Sequence, residues 1–282
     1  MPLAVDLLAC PHCRGDLARE GGALRCEQGH SFDLAREGYV NLLPGGAHTG
    51  TADTPAMVAA REAFLAAGHY NRLAEAVAGA AAGAVAAAGA SGPQVVIEVG
   101  AGTGFYLAAA LDRLPAATGL ALDISKHATR RAARAHPRMG AVVCDAWGVL
   151  PVRSGLASAV LSVFAPRNAA EFARVLAPGG AVIVAAPTPR HLAEIVGPLG
   201  LISVDADKDE RLEAALGERF SRGSEELVES PLELTHEDVA ALVGMGPSAR
   251  HVTPEDLAER VAALPDPMAT TLSVTVSAWR AR

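Results

Sequence analysis

Three cysteines and a histidine near the start of the chain, Cys10, Cys13, Cys26 and His30, follow the spacing C-x2-C-x12-C-x3-H. Thiolates and an imidazole set out in two close pairs suit tetrahedral zinc. In a reducing compartment, gathering three of the chain's four cysteines here favours a metal over disulfides. Four protein ligands leave no open coordination position, so the expected zinc is structural and not a Lewis acid. Pro11, Gly15 and Gly29 supply the tight turns around the pairs. His12 is a competing ligand, disfavoured by the i, i+3 geometry of the first two cysteines. The alternative is a set of free thiols in a small β-module, and a segment this short would then lack a staple.

The second constellation is the stretch VVIEVGAGTGFY, Val95–Tyr106. A β-branched run of strand type ends in Glu98 and the glycines Gly100, Gly102 and Gly104, and a helical pattern follows. A dinucleotide fingerprint needs glycine three residues after Gly102, and Phe105 stands there. The observed order, acidic-x-G-x-G-x-G, resembles motif I of class I S-adenosylmethionine (SAM) methyltransferases. In that motif the glycines let backbone approach the methionyl part of the cofactor. Two later strands end in acids. Thr118–Asp123 places Asp123 about 20 residues downstream, where a ribose diol needs an acceptor. Ala141–Cys144 runs into Asp145, where this fold commonly sets an acid near the adenine amine. The competing reading of these acids is solvated loop carboxylates.

Elements that would position these residues alternate regularly. Thr54-Pro55 reads as an N-cap and first-turn proline opening a helix through Met57, Ala60, Phe64 and Leu65. Ala67–Tyr70 interrupts it, and an alanine-rich helix runs from Asn71 to about Ala88. Beyond the glycine turn come helix Phe105–Leu114, strand Thr118–Asp123, helix Ser125–His136 and strand Ala141–Cys144. Strand Leu156–Phe164, helix Ala169–Leu176 and strand Ala181–Ala186 continue the series. This alternation implies an α/β fold, a mostly parallel sheet with helices on both faces. Leu201–Asp205, the acidic Asp205–Glu218 and Leu227–Leu234 follow, then helices Glu237–Met245 and Pro254–Leu264. The final alternating run, Thr270–Trp279, is expected as an edge strand. Strand Leu156–Phe164 should lie beside the motif I strand, so Phe164 and Asn168 face the reacting group. Phe164 is either a stacking platform or core; Asn168 is either a base-edge partner or a helix N-cap. His191 is the histidine nearest the carboxyl edge of the sheet.

Composition bounds the rest. At 282 residues the chain can hold one large core and a small appendage. No apolar run reaches membrane-span length, and the start lacks the basic region of a signal peptide, so a cytoplasmic location is expected. The net charge of −7 sits awkwardly with nucleic-acid binding, because phosphate contacts usually show as a basic excess. The most basic patch is the helix carrying Lys126, Arg130, Arg131 and Arg134, with Arg138 just beyond. It is either a solvated face or an RNA-phosphate contact. Arg14, Arg25 and Arg36 are the cations available to the zinc module.

Taken together, CPHC…C…GHSFD (Cys10–Asp33), REGYVNLL (Arg36–Leu43), AGHY (Ala67–Tyr70), EVGAGTGFY, LDISK (Leu122–Lys126), FAPRN (Phe164–Asn168) and PRHL (Pro189–Leu192) resemble the zinc-containing 23S rRNA guanine-N1 methyltransferases. The helix sequence after Asp123 and MGPS…H (Met245–His251) point toward the actinobacterial tylosin-resistance branch. The resemblance implies a Rossmann-like, seven-stranded class I SAM methyltransferase fold. It implies SAM contacts from Tyr70, Gly102, Thr103 and His191 besides Asp123, and a target in hairpin 35 of 23S rRNA. A homodimer and macrolide resistance are further implications. The expected organisation is a zinc module for RNA recognition over residues 1–38, a linker over 39–54, and a methyltransferase domain, N-terminal helices included, over 55–282. Phe164, Asn168 and His191 are the expected catalytic-pocket residues. Two other classes stay open: a small-molecule methyltransferase recruited from this family, and a non-catalytic protein that binds SAM and rRNA.

Overall fold

The computed structural model describes residues 5–47, 49–50, 52–89, 92–201, 208–250 and 253–282. Thus Leu201 is described, but the rest of the Leu201–Asp205 run, the start of the acidic stretch and His251 lie outside the described residues.

The chain opens with a meander of three short strands, β1 (Ala18–Glu20), β2 (Ala23–Arg25) and β3 (Ser31–Asp33). Then come β4 (Tyr39–Asn41), α1 (Pro55–Ala66) and α2 (Asn71–Ala88). The Thr54 hydroxyl accepts the Met57 N–H and so caps α1, with Pro55 in its first turn, as the sequence suggests. The alternating part runs β5 (Val95–Val99), α3 (Phe105–Arg113), β6 (Thr118–Asp123), α4 (Lys126–Ala135) and β7 (Met139–Val143). It continues with β8 (Ala157–Val163), α5 (Ala169–Val175), β9 (Leu176–Pro187) and α6 (Ala193–Leu199). The C-terminal part is α7 (Lys208–Leu216), β10 (Phe220–Leu234), α8 (His236–Gly244), α9 (Pro254–Ala262) and β11 (Met268–Ala281).

The main sheet has eight strands in the order β10-β11-β9-β8-β5-β6-β7-β4. Strands β4 to β9 are parallel to their neighbours, and only β11 and β10 run antiparallel. The order reverses direction between β5 and β8. Such a switch point opens a crevice beyond the carboxyl ends of those two strands, where ligands bind in open α/β sheets.

Two expectations change here. The sheet has eight strands and not seven, because Tyr39–Asn41, read as linker, pairs with Ala141–Val143 at the sheet edge. Strand β11 is not an edge either. It lies between β9 and β10, and the edge is β10, whose outer positions carry Glu225, Glu226, Glu229 and Glu233. Charge on an exposed edge discourages pairing with another chain.

Each face of the sheet buries its own cluster. In β5, Val96 points to one face and Val95, Ile97 and Val99 to the other, the period-two alternation of a strand covered on both sides. Helices α2, α3 and α8 pack against the first face. The second is covered by α5 and α7 and by the N-terminal module, whose Leu7, Leu8, Leu17 and Leu24 share a cluster with Ile97, Leu120 and Phe172. No helix connects β7 to β8, and the module covers that stretch of the sheet. Backbone bonds seal the joint: Ala9 N–H donates to the Pro151 carbonyl (3.1 Å) and Arg153 N–H to that of Leu7 (2.9 Å). Among the described residues no helix is long and apolar enough to cross a membrane.

Candidate functional site

The N-terminal cluster is built by turns. Cys10 N–H donates to the Gly15 carbonyl and Cys26 N–H to that of His30, folding each pair back on itself. One ligand atom from each of Cys10, Cys13, Cys26 and His30 lies within 4.8 Å of the others. The His30 Nδ1 is 3.2 Å from the Cys26 Sγ and 3.5 Å from the Cys10 Sγ; Cys13 and Cys26 sulfurs are 3.6 Å apart. A tetrahedron with zinc–sulfur bonds of about 2.3 Å has edges of roughly 3.5–3.8 Å, so the four side chains fit a zinc ion. The His12 ring stacks on Phe32 instead, outside this cluster. Arg14, a candidate RNA contact from sequence, is exposed but its guanidinium is engaged with the chain. It adopts a left-handed backbone (φ 63°), and its guanidinium donates to the Leu150 and Val152 carbonyls. Arg25 and Arg36 are exposed.

At the switch point the glycine turn is held from below and from the side. The Glu98 carboxyl group is buried beneath it and accepts the Leu107 N–H at 3.1 Å, at the start of α3. Burial drives its carboxyl up to about 8, against the opposing pull of that N–H. Asp123, at the end of β6, accepts the Gly102 N–H through Oδ2 and the Ser125 N–H through Oδ1, both at 2.8 Å. Its pKa is raised chiefly by burial, with the two N–H bonds pulling the other way and Asp53 adding to the rise. At Gly100 the backbone has φ +70°, and a Cβ there would stand 2.6 Å from the Ala165 Cβ. Only glycine lets the β5 and β8 ends approach this closely. Thr103 is buried, and Gly104 caps α3 in a left-handed conformation.

The wall opposite the glycines is aromatic. Phe164 follows β8 with φ +52° and is 41% exposed. Its ring stacks on His191 at 5.7 Å and 23°, and lies 6.3 Å from Tyr70. Tyr70 ends the break between α1 and α2, and its hydroxyl is 3.3 Å from the His191 Nε2. The Ser273 N–H of β11 donates to the His191 Nδ1 at 3.3 Å. That bond puts the proton of the neutral ring on Nε2, directed at the Tyr70 oxygen. Burial pushes the Tyr70 phenol up, so it stays protonated at neutral pH.

The structure thus brings Tyr70, Glu98, Gly100, Gly102, Thr103, Gly104, Asp123, Phe164 and His191 to one end of the sheet. Asp145 lies at the same edge, half-buried, accepting the Trp147 N–H at 2.9 Å. The glycine turn, the half-buried Asp123 carboxyl group one strand over and the aromatic wall fit an adenosyl cofactor with a flat substrate beside it. Asn168 is different. Its Oδ1 caps α5 by accepting the Glu171 N–H, and its Nδ2 donates to the carbonyls of Ala146, Trp147 and Gly148. Both ends of the amide are spent on structure, so the N-cap alternative holds and a base-edge role would require breaking this clamp. Arg138 is likewise structural: its guanidinium donates to the carbonyls of Leu111, Leu114 and Ala117. Arg130 pairs with Glu37 and Arg131 with Glu62, which neutralises much of the basic helix.

Three residues here escaped the sequence reading. Arg61 of α1 lies over the glycine turn, Asp53 accepts from it, and Trp147 is 68% exposed beside the crevice. An isolated tryptophan after an acid-ended strand was a usable signal; nothing local marked Arg61.

Comparison with known proteins places these features in a family. A zinc-ribbon family model described as "RlmA, N-terminal" matches residues 8–48, and one described as "Methyltransferase domain" matches residues 96–180. A Micromonospora griseorubida protein named "Putative 23S rRNA (guanine-N(1)-)-methyltransferase" is 50% identical over 287 residues, covering 97% of each chain. The 23S rRNA (guanine(748)-N(1))-methyltransferase of Streptomyces fradiae is 48% identical over 276 residues, covering 98% of this chain and 97% of its own.

Proposed function

This chain belongs to the 23S rRNA (guanine-N1)-methyltransferase family, and on that premise we propose that it methylates N1 of a guanine in hairpin 35 of 23S rRNA. The guanine called 748 in the Streptomyces fradiae relative is the proposed target, and macrolide resistance of the tylosin type the proposed consequence. The observation that carries the reading is the Phe164–His191 stack set directly across from the glycine turn at the switch point. A flat base held against that wall faces the cofactor site.

SAM, when bound, supplies a methyl group activated by its sulfonium. The residues of the chain position and enclose. Backbone at Gly100, Gly102 and Thr103 would hold the methionyl part, Asp123 the ribose diol and Asp145 the adenine. Tyr70 and His191 brace Phe164 through the hydrogen bond and the stack, and the wall excludes water from one side. Holding reactants in line supplies most of the rate in a displacement of this kind. Guanine N1 carries a proton at neutral pH, and its base must leave any stack to be reached. Neither Tyr70 nor His191 is an evident base for it: the phenol is held protonated, and the His191 Nδ1 already accepts a backbone N–H. Zinc serves as a staple for the module, held by Cys10, Cys13, Cys26 and His30, with no part in the methyl transfer. The proposed division is a zinc module over 1–38 and a methyltransferase domain over 55–282, joined by 39–54, whose first residues supply the edge strand β4 of the main sheet, the whole acting as a homodimer in the cytoplasm.

The test is methyl transfer from labelled SAM to unmodified 23S rRNA, with the product mapped by primer extension. A stop at the hairpin 35 guanine is the expected result. No transfer to rRNA, with SAM binding intact, would overturn the rRNA reading in favour of a small-molecule substrate.

A further inference from the structure

The recess at the glycine turn is lined by Gly100, Gly102, Thr103, Tyr70, Phe164 and one cation, Arg61. Arg61 lies flat on the turn, with its Cδ 3.3 Å from where a Gly102 Cβ would stand. One guanidinium nitrogen, Nη2, donates to the Asp53 Oδ2 at 2.7 Å and to the Met245 carbonyl at 2.9 Å. The adjacent Nε is buried and, among the described residues, has no hydrogen-bond partner. Nε and Nη2 form one edge of the planar fork, the edge that grips a carboxylate with two parallel bonds. Asp53 uses only half of it. Asp53 is itself tied down, since its carbonyl accepts the Ser125 hydroxyl at 2.7 Å, two residues beyond Asp123. The open space left in the recess is about 40 Å³, room for a water molecule or so and not for an amino-acid moiety.

We propose that Arg61 binds the methionyl carboxylate of SAM, and that Asp53 is the internal anion from which Arg61 is released when the cofactor enters. The inference rests on the SAM reading of this cleft and adds a residue to it. An ammonium-bearing, carboxylate-bearing ligand needs a cation at one end of its pocket, and no other Lys, Arg or His lines this recess among the described residues. Arg61 is a binding residue, and Asp53 makes cofactor entry an exchange of one carboxylate for another.

The experiment is a binding cycle by titration calorimetry on the full-length zinc-loaded chain. It compares SAM with decarboxylated SAM, which lacks only the carboxylate. The wild-type protein should prefer SAM by about tenfold to a hundredfold, the worth of a charge-assisted fork. Arg61→Met should lose that factor for SAM and leave decarboxylated SAM unchanged, so the preference disappears. Asp53→Asn removes the competitor and should tighten SAM several-fold, with little effect on the decarboxylated ligand. Should Arg61→Met fail to fold in a thermal melt, the Asp53→Asn arm decides by itself: a preference that does not widen overturns the exchange. Equal losses for both ligands in Arg61→Met would make Arg61 a structural tie and overturn the proposal. Wild-type protein that binds neither ligand would overturn the cofactor reading itself, a result distinct from the other two.

Discussion

Replacing Glu98 with Gln should stabilise the protein at neutral and alkaline pH, although the side chain is buried under the central turn. The carboxyl is 1% exposed and held at about 8, against an ordinary value of 4.5. Below about pH 4.5 it is protonated both folded and unfolded, so it contributes no pH dependence. Between 4.5 and 8 the unfolded chain releases the proton and the folded chain keeps it. Stability therefore falls as pH rises through this window, by up to about 1.4 kcal/mol per unit, and levels off above 8. At pH 7 the accumulated penalty is on the order of 3 kcal/mol; at pH 5 it is under about 1 kcal/mol. Gln keeps nearly the same volume and an oxygen for the Leu107 N–H, while removing the titration. Urea melts of wild type and Glu98→Gln at pH 5, 6, 7 and 8, without cofactor, read the difference directly. The variant should be within about 1 kcal/mol of wild type at pH 5 and ahead by roughly 4 kcal/mol at pH 8. A gap that does not change with pH, or a variant that trails at pH 8, would refute the claim that Glu98 is buried protonated.

Gly100→Ala should cost about 1–3 kcal/mol of stability and weaken SAM binding, since the new Cβ would sit 2.6 Å from Ala165 on a backbone at φ +70°; calorimetry and a thermal melt read both. Cys26→Ser should abolish zinc retention, measured by metal analysis, and lower the melting temperature of the whole chain, because the module shares its apolar cluster with the sheet. A variant that loses zinc yet melts like the wild type would show the module to be an independent appendage. Trp147→Ala should leave stability within about 0.5 kcal/mol and SAM affinity unchanged, while loosening rRNA binding by about 1–3 kcal/mol if the exposed indole stacks on a base.

What local chemistry governs was readable in advance. The bounds of α2, Asn71–Ala88, follow from the preceding Gly68 break and the following Gly89, and the alternation of strand and helix follows from a change of apolar period. Even the cap at Asn168, with Glu171 three residues on, was open to a sequence reading. What escaped depends on contacts between distant residues. Tyr70 and His191 are 121 positions apart, and only the family resemblance brought them into one pocket before the structure did. Arg61 reaches Met245 across 184 positions. Arg14 and Arg138 looked like free surface cations because their type favours solvent; Arg14 instead spends its fork on carbonyls of the loop between β7 and β8, and Arg138 on those around the end of α3. Strand β4 is three residues long, too short to show a period, and exists because β7 offers it an edge.

The placement of the zinc module over the sheet also sets an order of events during synthesis. Leu8 and Leu24 leave the ribosome early, yet their partner Phe172 on α5 is made some 150 residues later. At about 5–20 residues per second, the module waits roughly 7–30 s with its apolar side uncovered. Metal capture by the first 30 residues and closure of the core are therefore separate steps in the life of each molecule.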